Sequence, residues 1–400
     1  MSETIQLLDA VCYSKEKVLL ESLTLDNYVT TDNFIQNKLG RTRAVNLPPG
    51  GGKFTAYKKQ DILVANIRPY LKKIWFSDRD GGSSPDVLVF KTKEEHDSKF
   101  IYYAMFRDDF FAHMMNGSKG TKMPRGDKNQ IMNFTVPLFE KPKQQKIAAM
   151  LSALDTKIEL NNRINAELEA MAKTLYDYWF VQFDFPDKND KPYKSSGGKM
   201  VYNDILKRPI PEGWKATFLN QILVFERGIE PGSDQYFLTK ESNKHIPFFK
   251  VGSMNNNPSN WILSEVAGSS VCKKGDVMVS FDGTIGKISI SLDGSYSSGI
   301  RKIYPKENIG ITSSFVYQIL QTAEIQKTIK KYATGSIILH ASESIKYLKI
   351  PYCPKTIKKF AYFRDKIYHK QLTIIKENQK LVALRDWLLP MLMNGQITVK

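Results

Sequence analysis

The sequence predicts an α+β chain built as a tandem. Two β-rich domains are each followed by a long amphipathic helix, and the two helices are expected to form an antiparallel coiled coil that separates the domains and gives the chain an internal pseudo-twofold repeat. Three observations predict this. The first helical pattern places Ile147, Leu151, Leu154, Ile158, Asn161, Asn165, Leu168, Ala172 and Leu175 at alternating steps of four and three, the spacing that holds one seam against a partner helix. The second places Phe360, Ile367, Ile374, Leu381 and Leu388 seven residues apart, with Phe363, Leu384 and Met391 on a companion seam. The patterns superpose at an offset of 213, Ile147 falling on Phe360, Leu154 on Ile367, Asn165 on Asn378 and Leu175 on Leu388.

The β-rich parts repeat as well. Lys59 and Asp61–Val64 match Lys274 and Asp276–Val279 at an offset of 215, both reading as a turn into a buried strand. Val136-Pro137 matches Ile350-Pro351 at an offset of 214. A period this long excludes a solenoid, whose units repeat every few tens of residues, and points to duplication of a whole unit.

Taken in order, residues 1–139 read as a first domain of short strands, among them Ile62–Ile67, Val87–Phe90 and Phe134–Leu138, with a helical patch over Phe100–Met115 that Asp97 or Ser98 can cap. Residues 140–185 form the central helix. Pro142 stands in its first turn, where a missing N–H costs nothing, and Pro186 enforces a stop. Residues 186–353 comprise a polar linker over Asp187–Met200 and a second β-rich domain. Residues 354–400 form the C-terminal helix, expected to open at Pro354 and to end at Leu389 before Pro390. About 40 helical residues make a rod of roughly 60 Å. A lone amphipathic helix of that length would expose its seam to water, so the two seams are expected to cover each other; the alternative is two unrelated helices, each lying on its own domain. Asn165 and Asn378 fall at equivalent seam positions, where a buried amide can fix register.

Composition bounds the function. In 400 residues, 58 Lys plus Arg against 41 Asp plus Glu leave a net charge of +17 and a pI near 9.4, a balance that suits a polyanionic partner. The basic residues are interleaved with aromatic and turn residues, which favours folded binding surfaces over a disordered arm. No apolar run approaches the roughly 18 residues that span a bilayer, and the first residues lack the regions of a signal peptide. Cys12, Cys272 and Cys353 are odd in number and far apart, giving neither a disulfide framework nor zinc-ligand spacing. The expectation is a soluble protein of the reducing cytoplasm, with no membrane contact and no metal.

Catalytic motifs are scarce. The chain contains no Asn-Pro-Pro-aromatic or Asp-Pro-Pro-aromatic string of the kind aminomethyltransferases use, and no His-Glu-x-x-His or Gly-x-Ser-x-Gly. Gly283-Thr284-Ile285-Gly286-Lys287 suggests a phosphate loop, but Phe281 occupies the position where that motif needs glycine. Asp86, Asp97 and Lys99 satisfy the loose spacing of a metal-dependent nuclease, although Asp97 stands at an expected helix start, where capping accounts for it.

Several strings combine into a resemblance that covers essentially the whole chain. Gln144-Gln145-Lys146-Ile147, Leu154-Asp155-x-x-Ile158 and Leu175-Tyr176-Asp177-Tyr178-Trp179-Phe180 mark the first helix. Phe185-Pro186, Lys191–Gly198 and Ile210-Pro211-Glu212-Gly213-Trp214 follow it, and Leu388-Leu389-Pro390-x-Leu392-x-Asn394-Gly395 closes the second. Together they resemble the specificity subunit of Type I restriction-modification systems. The resemblance implies that the β-rich halves are two target-recognition domains, that each reads one half-site of a bipartite asymmetric sequence in double-stranded DNA, and that the helices dock two modification (methyltransferase) subunits. A restriction subunit, an ATP-dependent endonuclease, would join them. Catalysis, S-adenosylmethionine and ATP would belong to those partners, so this chain is expected to be non-catalytic and without a cofactor.

The two halves depart from each other in detail. Only the second has the Pro-x-Gly-Trp entry, and Asn66–Leu71 stands where the second half has Phe281–Gly286. Different loops on similar frames imply different base sequences. The expected DNA-binding residues are Arg41, Arg43, Arg68, Lys72, Lys73, Lys119, Lys122 and Arg125 in the first domain. In the second they are Arg227, Lys250, Thr284, Lys287, Arg301, Lys302, Ser336 and His340. The alternatives are a metal-dependent nuclease acting alone through Asp86, Asp97 and Lys99, and a coiled-coil scaffold that binds no DNA. Mg²⁺-dependent cutting by the purified chain would mark the first, and loss of salt-dependent DNA binding the second.

Overall fold

A computed structural model describes residues 3–120, 122–254, 258–307, 310–336 and 338–399. The chain forms two compact units, one of residues 1–159 with 379–400 and the other of residues 160–378. The helix Lys141–Tyr176 therefore begins in the first unit and ends in the second, and Pro354–Met393 does the reverse.

In the first unit an antiparallel sheet has the order Val11–Tyr13, Val87–Thr92, Ile62–Ala65, Ile74–Phe76. All four residues of Ile62–Ala65 are buried. Period-two alternation explains how: Ile62 and Val64 face a core shared with the helices, while Leu63 and Ala65 face Val29, Phe34, Tyr57 and Val89. A second sheet has the order Lys17–Leu19, Lys53–Tyr57, Gly81–Ser83, Tyr28–Val29, with its last pair parallel. Helices Ser98–Phe106 and Asp108–Asn116 replace the single expected helical patch. The break falls at Arg107, whose backbone is extended.

The second unit repeats this frame. Its sheet of Leu223–Arg227, Ile300–Pro305, Val277–Ser280 and Ile288–Ser289 has the same order and pairing sense. The helices Ser313–Leu320 and Ala323–Lys331 follow it in sequence. Lys215–Phe218 pairs with Lys349–Tyr352 as Thr4–Gln6 pairs with Thr135–Pro137. The counterpart of the first unit's second sheet differs. Its parallel pair, His245–Phe249 with Gly294–Tyr296, is kept, but the outer strand is Asn260–Leu263, hydrogen-bonded to His245–Phe249.

The helices pair within each unit. In the first, Ile147, Ala148 and Leu151 share a core with Leu388, Leu389, Leu392 and Met393, and Arg385 Nη1 donates to Asp155 Oδ1 at 2.8 Å. In the second, Asn161 meets Asn378 while Glu169 meets Gln371, so the pairing there is antiparallel. Leu154, Ile158, Leu168, Leu175, Ile367 and Leu381 are half-buried, and Phe360, Ile374 and Leu388 are buried.

Three sequence expectations need correction. Phe363, on the expected companion seam, is 47% exposed, and Leu384 is exposed too. The second row instead lies four residues after the first, at Arg364, Gln371, Asn378 and Arg385. These polar side chains turn inward because Glu169, Asn161, Asn162 and Asp155 supply partners. The C-terminal helix also runs through Pro390 to Met393. Burial of Leu392 and Met393 in the first unit's core holds its last turn, against the one helical N–H that proline removes. Finally, Asp187–Met200 is a folded segment. Asp184 accepts hydrogen bonds from Ser195 N and Oγ, Asp187 accepts from Asn189 N and Lys191 N, and Phe185 stacks on both Tyr193 and Trp214. Among the described residues no helix is long and apolar enough to cross a membrane.

Candidate nucleic-acid interface

In the first unit Ile62–Ala65 leaves its sheet into a tight turn. Arg68 and Lys72 hold left-handed backbone, at φ 52° and 50°, around Pro69–Leu71, and Tyr70 projects between them, exposed. Backbone hydrogen bonds stitch two further segments to this turn. Arg68 N donates to Pro124 O at 2.8 Å, and Asn37 N and Lys38 N donate to Leu71 O and Lys72 O at 2.9 and 2.8 Å. The loop Lys119–Arg125 closes on itself through an antiparallel bridge and is bridged to the turn at Ile67. The structure thus brings Arg68, Lys119, Lys122 and Arg125 together on two joined loops, all four exposed. Arg125 is oriented by Asp86 at 2.8 Å, and Lys119 lies 3.5 Å from Asp127. Arg43 is exposed on a separate segment and pairs with Asp26 at 3.1 Å.

The other first-domain candidates have structural partners. Arg41 donates to Asp26 O at 2.6 Å and lies over the Trp75 ring at 4.4 Å; burial pulls its guanidinium below the ordinary arginine value. Lys72 pairs with Asp108 at 2.9 Å. Lys73 donates to Thr31 O at 2.6 Å, and burial lowers its ammonium.

The second unit joins a corresponding pair of loops with other residues. After Val277–Ser280 the turn passes through Gly283 and Gly286, both at positive φ. Ser280 Oγ donates to Thr284 O at 2.6 Å and accepts from Lys287 N at 2.9 Å, so this one hydroxyl braces both sides of the turn. The loop Thr334–His340 is bridged at its ends, and His340 is bridged to Asp282. His340 Nδ1 lies 2.7 Å from Asp282 Oδ1. Thr284, Ser336 and His340 are exposed on these joined loops, with Lys287 half-buried beside them. Arg227 is exposed at the end of its strand, and Lys250 is exposed with its ammonium 4.3 Å from the Tyr236 ring.

Arg301 is a correction. It is 6% exposed, and its guanidinium donates to Ile300 O, Ser298 O and Ser342 Oγ, the last at 2.8 Å. It braces the strand end from beneath. Lys302 is similarly engaged, donating to Val271 O at 2.9 Å and lying 3.3 Å from Glu226.

The residues of the nuclease alternative have separate structural tasks. Asp97 caps Ser98–Phe106, accepting from Phe100 N at 2.8 Å, Asp86 holds Arg125, and Lys99 lies over the Phe76 ring. Among the described residues no three His, Cys, Asp or Glu side chains are grouped to hold a metal ion. Sequence reasoning passed over Tyr70, Met123, Ile338 and Leu339, exposed apolar residues on these loops. Superposing Lys119–Arg125 on Thr334–His340 around Gly120 and Gly335, at an offset of 215, is the signal that finds the last three.

The frame is thus duplicated, with differing polar and basic loops at matched positions in the two units. Comparison with known proteins names the particular kind. The model of the Type I restriction modification DNA specificity domain matches residues 7–170 and again 211–381. The chain is similar to the Type I restriction enzyme HindI specificity subunit of Haemophilus influenzae, at 24% identity over 92% of this chain and 94% of that one. It is 32% identical to the MjaIX specificity subunit of Methanocaldococcus jannaschii over 38% of this chain and 33% of the relative. The crystal structure of a Type I S subunit from M. genitalium shares its fold, with a TM-score of 0.53 at 16% identity, covering 98% of this chain and 96% of that one. The chain belongs to the Type I restriction-modification DNA specificity family, as a non-catalytic specificity subunit.

Proposed function

We propose that each domain reads one half of a bipartite, asymmetric target in double-stranded DNA. The observation that carries this reading is the joined loop pair, built on the same frame in both units from different side chains: Arg68, Lys119, Lys122 and Arg125 in one, Thr284, Lys287, Ser336 and His340 in the other. Arginine and lysine on phosphates fix register, and polar or guanidinium groups on base edges select sequence. Arg43, Arg227 and Lys250 are the further exposed cations that supply phosphate contacts.

The long helices dock two modification subunits, and through that assembly a restriction subunit. In support, the C-terminal helix leaves the large apolar side chains Tyr362, Phe363, Leu384 and Trp387 exposed, surface of the kind a partner protein covers. Catalysis then belongs to the partners, with target bases rotated out of the duplex into a modification subunit while this subunit holds the site.

The test is titration of duplex DNA with the full chain, alone and after co-expression with its modification subunit, at several salt concentrations. The reading requires a complex with that subunit and sequence-dependent binding that weakens steeply with salt. A complex that forms without binding DNA leaves the scaffold reading standing. Mg²⁺-dependent cutting by the chain alone revives the nuclease.

A further inference from the structure

Each unit carries one short loop with the same closure and the same kind of tip. Lys119 N donates to Arg125 O and Arg125 N to Lys119 O, at 2.9 and 3.0 Å; Thr334 and His340 exchange the equivalent bonds at 2.9 and 2.8 Å. The residue after each first leg is glycine at positive φ, Gly120 at 93° and Gly335 at 104°. A Cβ on Gly335 would lie 2.1 Å from Ile338 O, so a side chain there would break the turn. Both loops are also tied to the neighbouring strand exit at the same place, Arg68 N to Pro124 O and Gly283 N to Leu339 O, each at 2.8 Å.

Among their exposed polar and basic residues, both loops also hold an apolar side chain out to solvent. Met123 is 51% exposed and Ile338 is 55% exposed, and they correspond at the same offset of 215. A single exposed apolar side chain needs no explanation. Two at one position in both repeats do, because other parts of the two domains have diverged: the outer strand is Lys17–Leu19 in one unit and Asn260–Leu263 in the other. The loop basic residues have changed too, Arg125 becoming His340 and Lys119 becoming Thr334. A feature shared by two readers of different sequences serves a step common to both half-sites. An apolar tip makes no hydrogen bond to a base edge; beside basic residues it can touch a thymine methyl or press between stacked base pairs, and of these only the second is independent of sequence and so open to both readers.

We propose that Met123 and Ile338 are wedges, each entering one base step of its half-site and unstacking it, with Arg125 and His340 anchoring the loop at its base through Asp86 and Asp282. This rests on the two-reader function above. It divides labour within each site, with the shared loop deforming the duplex and the divergent segments selecting sequence.

The experiment uses the full chain with its modification subunits on duplexes carrying the mapped target. 2-Aminopurine replaces one base at a time, and the methylated base itself is left unsubstituted. Wild type should raise the fluorescence several-fold at one step in each half-site. Met123→Ser should abolish the rise in the half-site of the first domain alone, and Ile338→Ser in that of the second alone, each read at a protein concentration that keeps the duplex saturated; Met123→Leu should restore it. A rise that persists in both serine variants overturns the proposal, as does bound wild-type complex with no rise. Failure of the wild type to bind any duplex removes the two-reader function, and the wedge with it.

Discussion

Arg68 and Arg301 are both arginines near the end of a core strand, and the fold uses them in opposite ways. Arg68 is exposed on a turn of left-handed backbone, whereas Arg301 is buried with three acceptors. Arg68→Ala should leave the melting temperature unchanged and weaken DNA binding through one half-site. Arg301→Ala should destabilise the second unit by about 1–3 kcal/mol, the cost of stranding buried acceptors, seen as a lowered thermal midpoint. The cysteines offer a second check at this scale. Burial pushes the Cys272 thiol up to about 12, and the thiolate is the reactive form, so at pH 8 iodoacetamide should modify exposed Cys12 in the native protein and reach Cys272 only after unfolding. Peptide mass spectrometry reads this directly; early labelling of Cys272 would contradict its placement. Sequence could not separate Arg68 from Arg301, because the burial of Arg301 depends on Ser342, which lies far along the chain.

At the scale of elements, the helix seam was legible as a period and illegible as chemistry. A repeat of seven marks Phe360, Ile367, Ile374, Leu381 and Leu388 correctly as covered or half-covered, but it leaves open whether the second row falls three or four residues later. Hydrophobicity favours Phe363 and Leu384; the structure chooses Arg364, Gln371, Asn378 and Arg385, whose partners are on the other helix. Arg364 is fully buried, 0% exposed, between the Tyr317 and Tyr368 rings and bonded to Gln318 and Gln371. Arg364→Ala should cost about 3–5 kcal/mol, since it strands the Glu169 carboxylate in a partly buried place; chemical denaturation measures it. Asn165 predicts the opposite sign. Its equivalent Asn378 bonds Asn161 and Asn162, but at the offset of 213 those two become Ile374 and Ile375. Asn165 Oδ1 is left buried without a hydrogen bond among the described residues. Asn165→Leu should therefore stabilise the protein by about 1 kcal/mol, the lower end of the cost of an unsatisfied buried polar group. A lower midpoint would show that this amide is satisfied in solution.

For the whole molecule, the duplication was readable from sequence because buried strands and helix seams keep their spacing: the match of Asp61–Val64 to Asp276–Val279 marks the same central strand in both sheets. What escaped is where the copies differ. The outer strand of the second sheet follows no shared pattern, and Asp187–Met200 is polar enough to pass for a linker although Asp184, Phe185 and Asp187 fold it. Two frames alike in core and unlike in loops is the arrangement expected of one chain that reads two different short sequences. The measurement that bears most directly on this is single-molecule sequencing of methylated DNA from cells that express this chain with its modification subunit, compared with cells in which residues 1–139 are replaced by the first domain of a relative. A split motif of two different half-sites at fixed spacing is expected, with the exchange altering one half-site and leaving the other intact. A continuous motif, or an exchange that changes both halves together, would overturn the two-reader function.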